Sequence, residues 1–200
     1  MSKVFIDYVT LLLVNMAAGY FVLADFVFRG MDAEDQKPWV PAFAIVGLVA
    51  AVFGTHMAWT WPLPGSYNSA YGEMSVLLGV LFLGGALALA RRAPGAGDGS
   101  GLHALGIYAF FAGLAAILLG VRIIHLGMTN APMLSGIGFI LSGAAGVLVC
   151  PGLAVRRCGF CRFLGALLLA GAGLIWAFTA YMAIWMHMAH FAEWKPFTMR

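Results

Sequence analysis

Charge is scarce in this 200-residue sequence: Lys, Arg, Asp and Glu together make up 10% of it, whereas soluble domains carry about a quarter. With 62% hydrophobic residues and a mean hydropathy of +0.93, the chain has more apolar surface than a single water-soluble core can hide, which excludes a soluble domain. Alternating ten-residue strands are missing, which excludes a membrane β-barrel. The net charge of +3 is too small to imply a nucleic-acid partner. The N-terminus lacks the basic stretch, short apolar run and small-residue cleavage site of a signal peptide, so the first apolar segment is expected to stay. Cysteine is limited to three residues, Cys150, Cys158 and Cys161.

What fills the chain is apolar runs of helical length. They fall at about 4–28, 40–60, 73–91, 103–125, 132–150 and 163–189, each near the roughly 20 residues that cross the hydrocarbon as a helix. The breaks between them are rich in Gly, Pro or charge, as in "RGMDAEDQKP" (29–38) and "RRAPGAGDGSG" (91–101). The expected fold is all-α, a polytopic bundle of six transmembrane helices forming a single domain over residues 1–200. Seven of the eleven Lys and Arg cluster at one set of helix ends: Arg29, Lys37, Arg91, Arg92, Arg156, Arg157 and Arg162. The positive-inside rule makes that side cytoplasmic and puts both termini outside. The expected setting is the plasma (inner) membrane of a prokaryote, with the lipid bilayer as first partner.

In this topology the histidines converge. His56 closes helix 2, His125 closes helix 4, and His187 and His190 close helix 6, so four of five share the outer level, with His103 at the opposite end of helix 4 as the exception. Asp7 from the start of helix 1, Glu73 from the start of helix 3 and Arg122, one turn from His125, belong to the same layer. Ionisable groups inside a span cost about 2.5–3.5 kcal/mol at a helix centre on insertion scales. Their gathering at one depth therefore points to a shared site, although interfacial histidines making ordinary hydrogen bonds would satisfy the same pattern.

The spacing of His187 and His190 puts both on one helix face, where both could reach one centre. Neutral imidazoles suit Fe, Cu or Zn, and a facing pair suits haem b. His56, His125, His187 and His190 are thus the candidate metal ligands. Arg122 and Asp7 are candidate cofactor contacts, Arg122 as the partner of a propionate, and Glu73 is the candidate proton acceptor or catalytic base. No Cys lies on this face, which excludes a thiolate site there. Met57, Met74, Met128, Met186 and Met188 crowd the same level and suit Cu(I) as well as plain packing. Asn15 and Asp25 extend polarity down helix 1, but too sparsely for a pump's proton track. Cys158 and Cys161 form a CxxC flanked by arginines, a weak redox or zinc signal without a second pair.

The stretch "HMAWTWPLPGSYNSAYGE" (56–73) combines interfacial tryptophans, two helix-stopping prolines and a compact turn, and is expected to lie as a lid over His56 with Glu73 close by. With the six-span length and the histidine-bearing last helix, it resembles a family of multi-pass membrane proteins from archaea and bacteria known as domain of unknown function 981. The resemblance is strongest over residues 54–85, implies packed transmembrane helices and supplies no activity. The HxxH of the last helix departs from the HxxxH of ceramidase-like zinc hydrolases, and the inner-face histidines of cytochrome b561-like proteins are not matched. The sequence therefore leads to a redox protein with a histidine-rich metal or haem site, acting alone or as a subunit of a respiratory complex with a quinone or a redox subunit as partner. A zinc-dependent hydrolase acting on lipid head groups, and a non-catalytic subunit or small transporter, are the alternatives.

Overall fold

The computed structural model describes residues 7–92, 100–154 and 159–192. Six long helices run through them: α1 Tyr8–Asp25, α2 Val40–Thr60, α3 Met74–Arg91, α4 Ser100–Leu126, α5 Pro132–Ala154 and α6 Gly159–Phe191. Wide π-type turns extend two of them, Phe26–Gly30 after α1 and Asn68–Glu73 before α3. Five segments are long and apolar enough to cross a membrane, and α5 is apolar over the shorter stretch Pro132–Leu148. The chain is an all-helical integral membrane protein whose surface meets the bilayer. The expected segments match these helices closely. The largest shift is at the third, where the chain enters a helical path at Asn68 rather than Glu73.

Each helix packs against its neighbours in sequence, and α1 closes against α6, so the bundle is a ring. Two joints of the ring use the same device. Gly47 and Gly54 of α2 face Gly79 and Gly72, while Gly113 and Gly120 of α4 face Gly143 and Gly136. A Cβ at Gly54 would stand 2.9 Å from the Gly72 carbonyl oxygen, and one at Gly120 would stand 2.6 Å from that of Gly136. With lipid as apolar as leucine, such close backbone approach is what holds membrane helices together. The α3–α4 joint is the thinnest of the ring.

The two ends of the bundle differ in chemistry. At the arginine end, the π-type turn after α1 leaves carbonyl groups without helical partners. Arg162 of α6 donates to Val27 O (3.2 Å) and Phe28 O (2.8 Å) and pairs with Asp32. The buried Gln36 amide donates to Gly30 O (2.8 Å) and Met31 O (3.0 Å), and its Oε1 accepts from Arg92 (2.7 Å). Asp25 pairs with Arg29 and accepts from the Trp39 indole (3.3 Å). Mid-bundle, Asn15 donates to Val46 O at 3.0 Å and so ties α1 to α2. Asn15 and Asp25 are both held in structural contacts. Cys158 lies outside the described residues, as do the side chains of Cys150 and Cys161.

At the histidine end, Trp61 adopts a left-handed conformation (φ 47°) and its N–H closes α2 on Met57 O at 3.1 Å. Pro62 follows it, and a residue preceding proline is steered away from right-handed helix. Asn68 then clasps the turn. It is fully buried, its Oδ1 accepts from Leu63 N at 3.1 Å, and its Nδ2 donates to Leu63 O.

Candidate functional site

The first turn of α1 organises the histidine end. Asp7 caps the helix, its Oδ1 accepting from Thr10 N at 3.3 Å, which answers one of the orphan donors of a helix start. Its other oxygen, Oδ2, lies 2.5 Å from His187 Nδ1, so the capping carboxylate also binds the last helix. Thr10 Oγ1 lies 3.0 Å from the same nitrogen. A carboxylate acceptor on Nδ1 fixes the proton there and leaves Nε2 free for other chemistry. The next residue repeats the arrangement on another helix: the Tyr8 hydroxyl is 2.6 Å from His56 Nδ1, with the two rings stacked at 5.5 Å. Two histidines that are 131 positions apart are thus each held through Nδ1 by adjacent residues of α1.

Asp7 and His187 line a cavity of about 570 Å³ whose other walls come from the loops at this end. Leu63, Pro64 and Tyr67 contribute from the α2–α3 loop, Thr129, Asn130 and Ala131 from the α4–α5 loop, and Phe178, Met182 and Met186 from α6. The two loops are tied together, since Ser66 donates to Met128 O at 3.2 Å. On the cavity floor, the Tyr71 hydroxyl meets Ser135 Oγ at 3.2 Å, and Thr129 donates to the same oxygen at 3.2 Å. The cavity therefore joins a hydroxyl-lined floor, an apolar α6 wall and one carboxylate–imidazole pair.

The other residues singled out from the sequence stand apart. His125 is exposed, and its Nδ1 lies 3.3 Å from Arg122 Nη1 on the same helix. His56 is exposed behind Tyr8 and does not line the cavity. Glu73 is exposed and makes no hydrogen bond or ion pair among the described residues, with His56 or otherwise. The side chain of His190 lies outside the described residues. His103 is exposed near the start of α4. Of the methionines, Met57 is fully buried and Met186 lines the cavity. Among the described residues, no group of three or more His, Cys, Asp or Glu could hold a metal ion. His56, His125 and His187 are therefore not gathered into one such group.

Sequence reading passed over Tyr8, Thr10, Tyr67, Tyr71, Thr129 and Ser135. Each is a hydroxyl within a few residues of a helix end at the histidine level, and that depth is the signal by which they could have been found.

The model of the family described as protein of unknown function (DUF981) covers residues 1–190. No curated protein and no solved structure matches the chain.

Proposed function

This chain belongs to the DUF981 family, described as proteins of unknown function, and we propose that the cavity binds the polar head of a lipid-borne quinone and that the Asp7–His187 pair exchanges protons with it. The observation that carries this reading is the 2.5 Å contact between Asp7 Oδ2 and His187 Nδ1 in the wall of a cavity of about 570 Å³. Quinone carbonyl oxygens accept hydrogen bonds, and the Tyr67 hydroxyl of the cavity wall is a donor. Quinone reduction takes up protons with its electrons, and quinol oxidation releases them. An imidazole oriented by a carboxylate is suited to that transfer through its free Nε2. The electrons are exchanged with a haem or metal centre on a partner subunit, which makes this chain the quinone-binding subunit of a respiratory complex. In the proposed orientation the site faces the outer side of a prokaryotic plasma membrane, with the arginine end cytoplasmic.

A zinc hydrolase has less support. It would need Glu73 as general base on metal-bound water, and Glu73 stands exposed without a partner. Thr10 is not set up as a nucleophile either, because it shares Nδ1 with Asp7 instead of meeting the free nitrogen.

The test is titration of the detergent-purified protein with a short-chain quinone analogue, followed by thermal shift, beside elemental analysis of bound Fe, Cu and Zn. Saturable stabilisation by the quinone that is lost in His187→Gln supports the reading. Near-stoichiometric zinc without a quinone response would replace it with the hydrolase. Absence of both would leave a non-catalytic subunit or a small transporter.

A further inference from the structure

A second cavity, of about 200 Å³, lies inside the ring beside the α3–α4 joint and is lined almost wholly by apolar side chains of all six helices. Its α4 wall is formed by Leu102 and Leu105 at one end and by the small residues Gly106, Ala109, Ala112 and Ala116 beyond them. Leu81 and Phe82 of α3 form the facing wall. The lining spans Leu102 to Ala116 along α4, which at 1.5 Å per residue is a slot about 21 Å long. It thus follows the membrane normal over most of the roughly 30 Å hydrocarbon thickness.

Polar groups in this slot are few: Tyr20, and Ser142, which donates to Gly138 O at 2.7 Å and accepts from the Trp176 indole at 3.0 Å. Among the described residues no charged side chain lines it. The joint is also open, since Leu77, Leu81, Ala109 and Ala112 stay half-exposed between two neighbouring helices. The glycine-to-glycine approach that seals α2–α3 and α4–α5 is missing among the described residues here.

One end of the slot carries charge. Met31 lines it, Gln36 binds the Met31 carbonyl, and Arg92 binds Gln36, so a guanidinium sits two contacts away from the slot. The exposed Arg91 precedes Arg92 at the end of α3. We propose that the α3–α4 slot holds one acyl chain of an anionic phospholipid, whose phosphate lies at the arginine end against Arg91 and Arg92. This site is separate from the quinone cavity and does not depend on it. Tyr71, which lines the quinone cavity, packs on Phe139, which lines the slot, and the two rings stand between them.

The full chain is delipidated in detergent and incubated with phosphatidylglycerol or phosphatidylcholine of the same acyl chains, and retained lipid is counted by mass spectrometry of the intact complex. One phosphatidylglycerol per chain is expected, with at least fivefold less phosphatidylcholine and at least fivefold less phosphatidylglycerol in Ala112→Phe, which fills the small-residue part of the α4 wall. Should that variant fail to fold, phosphatidylglycerol brominated in mid-chain should quench the tryptophan fluorescence of the wild-type protein more than the brominated phosphatidylcholine, because Trp176 contacts the slot-lining Phe139. Equal retention of both lipids, undiminished retention in folded Ala112→Phe, displacement of the phospholipid by a quinone analogue, or neither retention nor quenching overturns the proposal.

Discussion

Asp7 and His187 meet at 2.5 Å across 180 positions of sequence, so the first residue of α1's cap is also the partner of the last helix. One carboxylate thereby does two jobs with two oxygens, and they can be separated by substitution. Asn caps a helix about as well as Asp, so Asp7→Asn keeps the Thr10 bond and removes the charge facing His187. Because both side chains are partly exposed, its effect on stability should stay within about 1 kcal/mol. Affinity for the quinone analogue should fall about tenfold, equivalent to about 1.4 kcal/mol. Asp7→Ala should lose the same affinity and about 1 kcal/mol more stability through the lost cap. Isothermal binding and thermal melts of the pair of variants check both; unaltered binding in Asp7→Asn would remove the carboxylate from the proposed function.

How much of this was legible beforehand depended on the kind of information. Six apolar runs divided by Gly, Pro and Arg place six helices, because helix length in lipid is set by hydrocarbon thickness. The common level of His56, His125 and His187 follows from counting helix ends. Rotation of each helix about its axis does not, since a side chain facing lipid and one facing protein are equally apolar. For that reason the sequence groups three histidines by depth, and the fold adds the partner of each: His187 turns to Asp7, His56 to Tyr8, and His125 to Arg122 beside it. Only the last pairing lies within one helix, and it alone was readable from spacing. The π-type turn at Asn68–Glu73 also escapes periodicity, and it leaves Glu73 exposed.

Asn68 should be the most sensitive position of the α2–α3 loop. Both polar ends of its buried amide are spent on the Leu63 backbone. Asn68→Ala would leave a donor and an acceptor unsatisfied, at about 1–3 kcal/mol for each group that water cannot reach. Asn68→Asp keeps the acceptor but sets a carboxylate oxygen against the Leu63 carbonyl in a buried site, so its loss should be at least as large. Since Leu63 and Pro64 wall the cavity, the fall of both variants below the wild-type melting temperature should be mirrored in quinone affinity.

The glycine joints give a stability prediction with an internal control. A Cβ at Gly143 would stand 2.7 Å from the Ile117 side chain and 2.9 Å from Ile117 N, with the Gly113 carbonyl also in its way. Gly143→Ala should therefore push α4 from α5 and cost about 1–3 kcal/mol as an overpacked core. At Gly171 the nearest atom to a new Cβ is 3.9 Å away, so Gly171→Ala should be neutral or stabilising. Similar denaturation midpoints for the two variants would mean that the α4–α5 contact is looser than its glycines require.

Arg162 offers the strongest test of how the ring is closed at the arginine end. One guanidinium serves Val27 O, Phe28 O and Asp32, three acceptors that diverge around the π-type turn. The planar fork of arginine can reach them together, while a lysine ammonium is a single point on a flexible stem. Arg162→Lys should accordingly keep the charge and still lose stability, by about 1–2 kcal/mol for the hydrogen bonds it cannot replace. Removal of the carboxylate by Asp32→Asn should cost less, because that side chain is 69% exposed and its ion pair is screened by solvent. If the carbonyls of the π-type turn are what Arg162 chiefly satisfies, Arg162→Lys and Arg162→Ala will melt close together and both well below Asp32→Asn. If the ion pair dominates instead, Arg162→Lys will melt near wild type, and Asp32→Asn will melt with Arg162→Ala.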